Sequence, residues 1–175
     1  MNYKDHLKHF TKKELIEMMT VTPEMVEKIE VEACGGTHFD NINGPDGCDK
    51  NGYIEVKSQR YRGNYKLFGR GKFGSISYEN YKKKLKENEL VIITGYDEKT
   101  GEKYYSFSFR FEAIAERYLD AVKKSKNKGW SNFDTIPYHY KDHPSFNVDF
   151  VADYRTLIKN KHKFRPRFLK FLLSL

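Results

Sequence analysis

The alternation of hydrophobic and polar positions predicts two helices near the start of the chain. Thr11-Lys12-Lys13-Glu14 matches a capping box, in which the threonine hydroxyl and the glutamate carboxylate each bond an unpaired backbone N–H group. The apolar stripe that follows consists of Leu15, Ile16 and Met19. Thr22-Pro23 then begins a second helix that ends at Gly35-Gly36. The inner face of this second helix is predicted to carry Met25, Val26 and Ile29.

The pattern then changes to one that is typical of strands and turns. Residues 37–42 predict a short strand, and Asn51-Gly52 is a hairpin signal that precedes a second strand. Alternation over residues 53–57 places Glu55 and Lys57 on one face of that strand, and Ile54 and Val56 on the other.

Further elements follow along the chain. Helices are predicted at residues 77–87 and 112–124, strands at 90–96 and 103–111, and a helical apolar tail at 169–175. Residues 58–76 and 126–155 are expected to be irregular, the second with short strands. This order predicts a mixed α/β (α+β) fold, with a central mixed β-sheet flanked by helices.

Composition and charge limit the function classes. The 175 residues suit one domain, and an aromatic content of 15% can supply its core. The net charge of +8 favours a polyanionic partner, usually nucleic acid and sometimes an anionic membrane. The polar start, the two cysteines and the lack of a long apolar run predict a cytoplasmic protein with no membrane partner.

The residues with candidate chemistry are Asp46, Glu55 and Lys57. A hairpin can bring Asp46 beside Glu55, with Lys57 one pleat further along the strand. Two carboxylates that lie close together repel each other, and their hard oxygens suit Mg²⁺. The lysine ammonium can then orient an attacking water molecule and offset charge on phosphorus. The competing interpretation is a surface hairpin with an ordinary cross-strand ion pair.

Pro45-Asp46, Glu55, Val56 and Lys57 resemble the motif of the PD-(D/E)xK nuclease superfamily, most closely that of small dimeric type II restriction endonucleases. The resemblance implies a restriction-endonuclease-like core over residues 22–125. It also implies Mg²⁺, or Mn²⁺ in its place, bound by Asp46, Glu55 and the backbone carbonyl of Val56. Many members of the superfamily add an acidic ligand before the aspartate, but Asn43 lies three residues before Asp46 here. The extra ligand is therefore Glu27 or Glu30, or it is absent.

The expected function is that of a Mg²⁺-dependent endonuclease that cuts double-stranded DNA, most simply a type II restriction enzyme. Cutting both strands of a palindromic site requires two chains, so a homodimer is expected. Residues 1–21 are the candidate dimerisation or DNA arm, and residues 126–175 the candidate extension for DNA contact or packing. A cognate methyltransferase that acts on the same DNA site is an implied partner.

Residues 56–78 contain no acid, and their basic side chains interleave with aromatic residues and glycines. Such a segment can pair with phosphates, and arginine can read guanine edges. The candidate DNA contacts in this segment are Arg60, Arg62, Lys66, Arg70 and Lys72. Asn147 and His139 are further candidates, because both side chains can bond base edges.

Several alternatives remain open at this point. The protein could instead be a structure-specific junction or repair nuclease, or a nucleic-acid-binding module without catalysis. The basic segment 156–175 could grip phosphate, lie on a membrane, or dock its apolar face on the core. Lys82-Lys83-Lys84 is interpreted as the solvated face of a helix. A zinc site at Cys34, His38 and Cys48 lacks the spacing of known compact modules.

Overall fold

The structure is a computed structural model that describes residues 11–40, 44–125 and 132–175. Six α-helices are described: α1 (Lys12–Met18), α2 (Pro23–Ala33), α3 (Tyr78–Glu87), α4 (Glu112–Ser125), α5 (Tyr154–Lys159) and α6 (Pro166–Leu172). The described strands are β1 (Thr37–His38), β2 (Gly47–Asp49), β3 (Gly52–Tyr61), β4 (Gly71–Phe73), β5 (Leu90–Asp97), β6 (Lys103–Arg110), β7 (Phe133–Thr135) and β8 (Asn147–Val151).

Six of these strands form the central sheet, in the order β1-β2-β3-β5-β6-β8. Strands β3 and β5 are parallel, and the other neighbours in this sheet are antiparallel. Strands β4 and β7 form a separate two-stranded sheet. The prediction of a mixed α/β fold with a central mixed sheet and flanking helices is confirmed. Strand β8 extends that sheet beyond residues 22–125.

The two N-terminal helices begin where their capping residues predict. Thr11 N–H donates to Glu14 Oε2 at 2.7 Å, and Glu14 N–H donates to Thr11 Oγ1 at 3.2 Å, which is the reciprocal capping box. The Thr22 hydroxyl accepts the Met25 N–H at 3.4 Å at the start of α2. The predicted inner face of α2 is partly wrong, because Ile29 is 58% exposed.

The main core packs on one face of the sheet and is dominated by aromatic rings. Phe107, Phe109 and Phe111 are fully buried and meet Ile114 and Tyr118 of α4. A smaller cluster on the opposite face joins Val31 of α2 to three strand residues, Ile54, Val56 and Ile92. Helix α2 therefore covers the Ile54 and Val56 side of β3, as the alternation of that strand predicts.

The segments expected to be irregular hold more structure than local patterns show. Strand β3 continues to Tyr61, and β4 pairs with β7 through Phe73 opposite Phe133. Leu67 bridges to Phe164, which sets the glycine-rich loop beside the C-terminal segment. These pairings join residues about 60 to 100 positions apart in the chain, so short-range propensity does not reveal them.

The C-terminal segment packs on the core. Helix α6 and the residue pair before it contribute Phe164, Phe168 and Leu172 to the main cluster. Of the interpretations weighed for residues 156–175, docking of the apolar face is the one that the structure confirms. In the part of the chain that the structure describes, no helix has the length and apolar character needed to cross a bilayer.

Gly47 gives a test of how β2 is held against α2. A Cβ atom there would lie 2.5 Å from Val31 Cγ1 and 2.6 Å from the Thr37 carbonyl oxygen. We expect Gly47→Ala to lower the free energy of unfolding by about 1–3 kcal/mol through overpacking, measured by urea denaturation. Gly74→Ala is the matched control, since its Cβ would meet only Asn132 Oδ1 at 3.7 Å. Equal stability of the two variants would contradict this packing.

Candidate active site

The hairpin of β2 and β3 places the Asp46 carboxylate against the backbone of β3. The last β2–β3 pair on this side joins Gly47 to Ile54, and Asp46 N–H donates to the Ile54 carbonyl at 3.0 Å. One residue pair further on, Val56 N–H donates to Asp46 Oδ2 at 2.6 Å. The Asp46 carboxylate thus accepts the hydrogen bond that the carbonyl of a neighbouring strand would otherwise accept. No described strand pairs with β3 at this position.

This bond also fixes the direction of the Val56 carbonyl. In a strand, the N–H and C=O groups of one residue point to the same edge. The Val56 carbonyl therefore faces the edge at which the Asp46 carboxylate lies. The structure brings together Asp46, Glu55 and the Val56 carbonyl, the three groups that the resemblance implies as metal ligands.

Glu55 and Lys57 lie on the same face of β3, as predicted, and form an ion pair through Lys57 Nζ and Glu55 Oε1. Lys57 Nζ also lies 5.6 Å from the centre of the Phe73 ring. Burial lowers the pKa of Lys57, but the carboxylates of Glu55, Asp46 and Glu27 outweigh it, and the net pKa is raised. These carboxylates therefore favour the charged ammonium form of Lys57.

The two candidates for an extra acidic ligand occupy different places. Glu30 is 5% exposed and is paired with Lys103 at 2.5 Å and with the Ser106 hydroxyl at 3.1 Å. Glu27 faces the site instead. Burial raises its pKa to about 7, with Asp46 adding to the shift and Lys57 opposing it. Of the two, only Glu27 shares the electrostatic environment of Asp46 and Glu55.

A second lysine enters the site from α3. Lys84 Nζ lies 3.8 Å from Glu55 Oε2 and 2.6 Å from Oε2 of Glu89, which is 3% exposed. The prediction that the lysine run is a solvated helix face is wrong for Lys84. Its side chain turns toward the sheet, where Glu89, in the connection between α3 and β5, supplies the counter-charge. No pattern near Lys84 in the sequence distinguishes it from its two lysine neighbours.

The donor set fits a hard divalent cation. Burial raises the pKa of Asp46, with the Glu55 charge adding to the shift, so these acids repel each other where a cation would stabilise both. Among the described residues, no group of three or more His, Cys, Asp or Glu side chains is close enough to hold a metal ion. The fitting ligands are therefore two carboxylates and one carbonyl, all oxygen donors of the kind Mg²⁺ prefers. Glu27 lies beside them as a neighbouring charge.

A cleft of about 360 Å³ opens next to these residues. It is lined by Pro23, Glu27, Val56, Lys57, Ser58, Gln59, Arg60, Tyr65, Arg70 and Lys72. Four of these side chains are cationic and one is acidic, so the lining itself favours an anionic ligand. Lys57, Arg60 and Arg70 are paired with acids outside the lining, and Lys72 is exposed.

The structure divides the predicted DNA contacts into groups. Arg60 and Arg62 both pair with Glu98, at 2.8 and 3.3 Å, and Arg70 pairs with Asp134 at 2.8 Å. Lys66 and Lys72 are exposed. Arg60, Arg70 and Lys72 line the cleft, whereas Arg62 and Lys66 lie outside its lining.

The other predicted contacts are not brought to the cleft. Asn147 lies on β8, which β5 and β6 separate from β3. His139 follows β7, and burial together with Arg117 and Arg167 lowers its pKa. A role for either residue in DNA binding stays a prediction.

Two further expectations concern the cysteines and the N-terminus. Cys34, His38 and Cys48 do not form a group that could hold a metal in the described part of the chain. Met19 of the predicted dimer contact is 52% exposed. Residues 1–10 and the side chain of Ile16 lie outside the described residues, so the arm remains a prediction.

Comparison of the chain with models of known protein families, and with curated proteins, finds no match.

Glu27 provides a pH test of the site. Its native pKa of about 7 exceeds the ordinary value of 4.5, so the native state binds more protons between those values and loses stability as pH rises. Without divalent ions, Glu27→Gln should therefore gain stability relative to wild type on going from pH 5 to pH 8, as urea denaturation would show. Glu24→Gln is the control, because local hydrogen bonds lower the pKa of Glu24. If the difference in free energy of unfolding between Glu27→Gln and wild type did not change with pH, the raised pKa of Glu27 would be contradicted.

Proposed function

We propose that this protein is a Mg²⁺-dependent endonuclease that hydrolyses phosphodiester bonds in double-stranded DNA. The observation that carries the proposal is the Asp46 carboxylate bonded to Val56 N–H, next to the Glu55–Lys57 ion pair. This arrangement lies beside a cationic cleft. A restriction-endonuclease-like core belongs to the same proposal, supported by the hairpin that carries the motif and by the parallel pairing of β3 with β5.

The metal would be held by Asp46, Glu55 and the Val56 carbonyl. When bound, Mg²⁺ or Mn²⁺ would supply Lewis-acid polarisation of a phosphodiester oxygen and a bound water of lowered pKa. The protein contributes a rigid donor set, because the Asp46 carboxylate is fixed by the backbone of β3 at 2.6 Å.

Lys57 would act on the phosphate and on the attacking water. Because its raised pKa keeps it charged, it can donate hydrogen bonds and offset the charge that develops on phosphorus. Glu55 holds the ammonium in place, and the Phe73 ring lies near its charge. In this role Lys57 positions the attacking water and stabilises the charge that develops on phosphorus.

The cleft would receive the DNA backbone. Lys57, Arg60, Arg70 and Lys72 line it, and the whole chain carries a net charge of +8. Neutralising phosphates in this way releases counterions and makes binding depend on salt. The motif resemblance favours a homodimer that cuts a palindromic site. It also favours a partner methyltransferase that acts on the same site.

Digestion of supercoiled plasmid DNA with Mg²⁺ tests the proposal. We expect Asp46→Asn and Lys57→Met each to slow cleavage by about 10²-fold or more, since each removes a group needed in the transition state. Asp49→Asn is the matched control on the same hairpin, because its carboxylate bonds Asn51 N–H at 2.8 Å. Its cleavage rate should equal that of wild type.

The outcomes separate the candidate functions. Cleavage that persists in Asp46→Asn would refute the site. Salt-sensitive DNA binding without metal-dependent cleavage would indicate a binding module. Discrete fragments from linear genomic DNA would favour a restriction enzyme, and preferential cutting of four-way junctions would favour a junction nuclease.

A further inference from the structure

Gln59 lies on β3 two residues beyond Lys57, on the same face as Glu55 and Lys57. Its amide oxygen accepts three hydrogen bonds. The donors are the Phe68 N–H at 3.0 Å, the Arg70 N–H at 3.2 Å and the Tyr105 hydroxyl at 2.9 Å. One oxygen atom thus anchors the glycine-rich loop to the central sheet.

These bonds fix which end of the amide is the oxygen. Two of the donors are backbone N–H groups, which cannot accept a hydrogen bond, so the atom that faces them must be the oxygen. The amide nitrogen of Gln59 therefore lies on the other side. It has no hydrogen-bond partner among the described residues, and Gln59 lines the cleft with Lys57, Arg70 and Lys72.

An amide in this state can offer only donors to a ligand. A glutamine that reads adenine uses both its oxygen and its nitrogen, and the oxygen of Gln59 is already engaged. The two remaining N–H groups suit an acceptor oxygen, such as that of a phosphate. Gln59 lies about 7 Å from Lys57 along the strand, so both side chains can reach one bound nucleic-acid strand.

We propose that Gln59 is a substrate-contacting residue whose amide NH₂ donates to a backbone phosphate oxygen next to the phosphate at Lys57. This inference rests on the proposed nuclease function and adds a residue to it. It also explains why the anchor of the loop is an amide, since a carboxylate would accept the same three hydrogen bonds without supplying donors.

The geometry of the glycine-rich loop supports the conclusion that Gln59 anchors it. Gly69 lies between the two anchored N–H groups and has a φ of +72°, in the left-handed region that favours glycine. A Cβ atom at Gly69 would lie 2.7 Å from Pro137 Cδ and from Phe168 Cε2. The loop is therefore held closely against the C-terminal segment, and Gln59 fixes the backbone from which Arg70 reaches the cleft.

Two substitutions at Gln59 separate anchoring from substrate contact. Gln59→Glu keeps an acceptor for the loop and removes the NH₂ donors, whereas Gln59→Leu removes both. We expect Gln59→Glu to keep the wild-type Tm and to bind a 30-base-pair mixed-sequence DNA duplex at least about tenfold more weakly, as suits a hydrogen bond to a charged group. Gln59→Leu should lower the Tm. Binding is measured by fluorescence anisotropy in EDTA, so that no cleavage occurs.

Ser58→Asp is the charge control, because it adds a carboxylate to the lining of the same cleft and leaves the Gln59 amide in place. Its loss of affinity should be clearly smaller than that of Gln59→Glu. The ¹⁵N-labelled side-chain amide of Gln59 in the wild-type protein gives a second measurement, and its signals should shift when the duplex binds. This readout decides the matter even if Gln59→Glu fails to fold.

Equal losses in Gln59→Glu and Ser58→Asp, with unmoved amide signals, would overturn this inference and leave Gln59 as a loop anchor only. Failure of the wild-type protein to bind the duplex would instead refute the proposed function itself. The two failures are therefore distinguishable in the same titration.

Discussion

The candidate site depends on one hydrogen bond, from Val56 N–H to the Asp46 carboxylate at 2.6 Å. At this point β2 no longer pairs with β3, and a side chain replaces the missing strand. A buried backbone N–H left without a partner is costly, so the bond both satisfies β3 and fixes a carboxylate beside Glu55. Gly47 makes the approach possible, since any side chain there would collide with α2.

The electrostatics of the site follow from that placement. Three carboxylates, those of Glu27, Asp46 and Glu55, share a partly buried region, and the raised pKa values of Glu27 and Asp46 reflect burial together with mutual repulsion. Lys57 and Lys84 offset part of this charge through Glu55. The charge of Glu30, in contrast, is balanced within the fold. Its carboxylate pairs with Lys103 and accepts hydrogen bonds from two hydroxyl groups. Unbalanced charge of this kind is typical of functional sites.

Local patterns in the sequence predict the hairpin, its facing residues and the helix caps, because these features depend on neighbouring residues. They do not reveal the contacts of Lys84 with Glu55, of Gln59 with Tyr105 or of Arg70 with Asp134, because those partners lie far away in the chain. Arg60 and Arg62 illustrate the difference: their segment contains no acid, yet Glu98 pairs with both. Charge counted along a segment is therefore a poor guide to which cations are available for a ligand.

An anomalous difference map from a crystal soaked in MnCl₂ tests the central claim most directly. We expect an anomalous peak in contact with the Asp46 and Glu55 carboxylates, and no such peak in an Asp46→Asn crystal treated in the same way. A wild-type crystal with no peak between these two carboxylates, or with its manganese bound elsewhere, would contradict it.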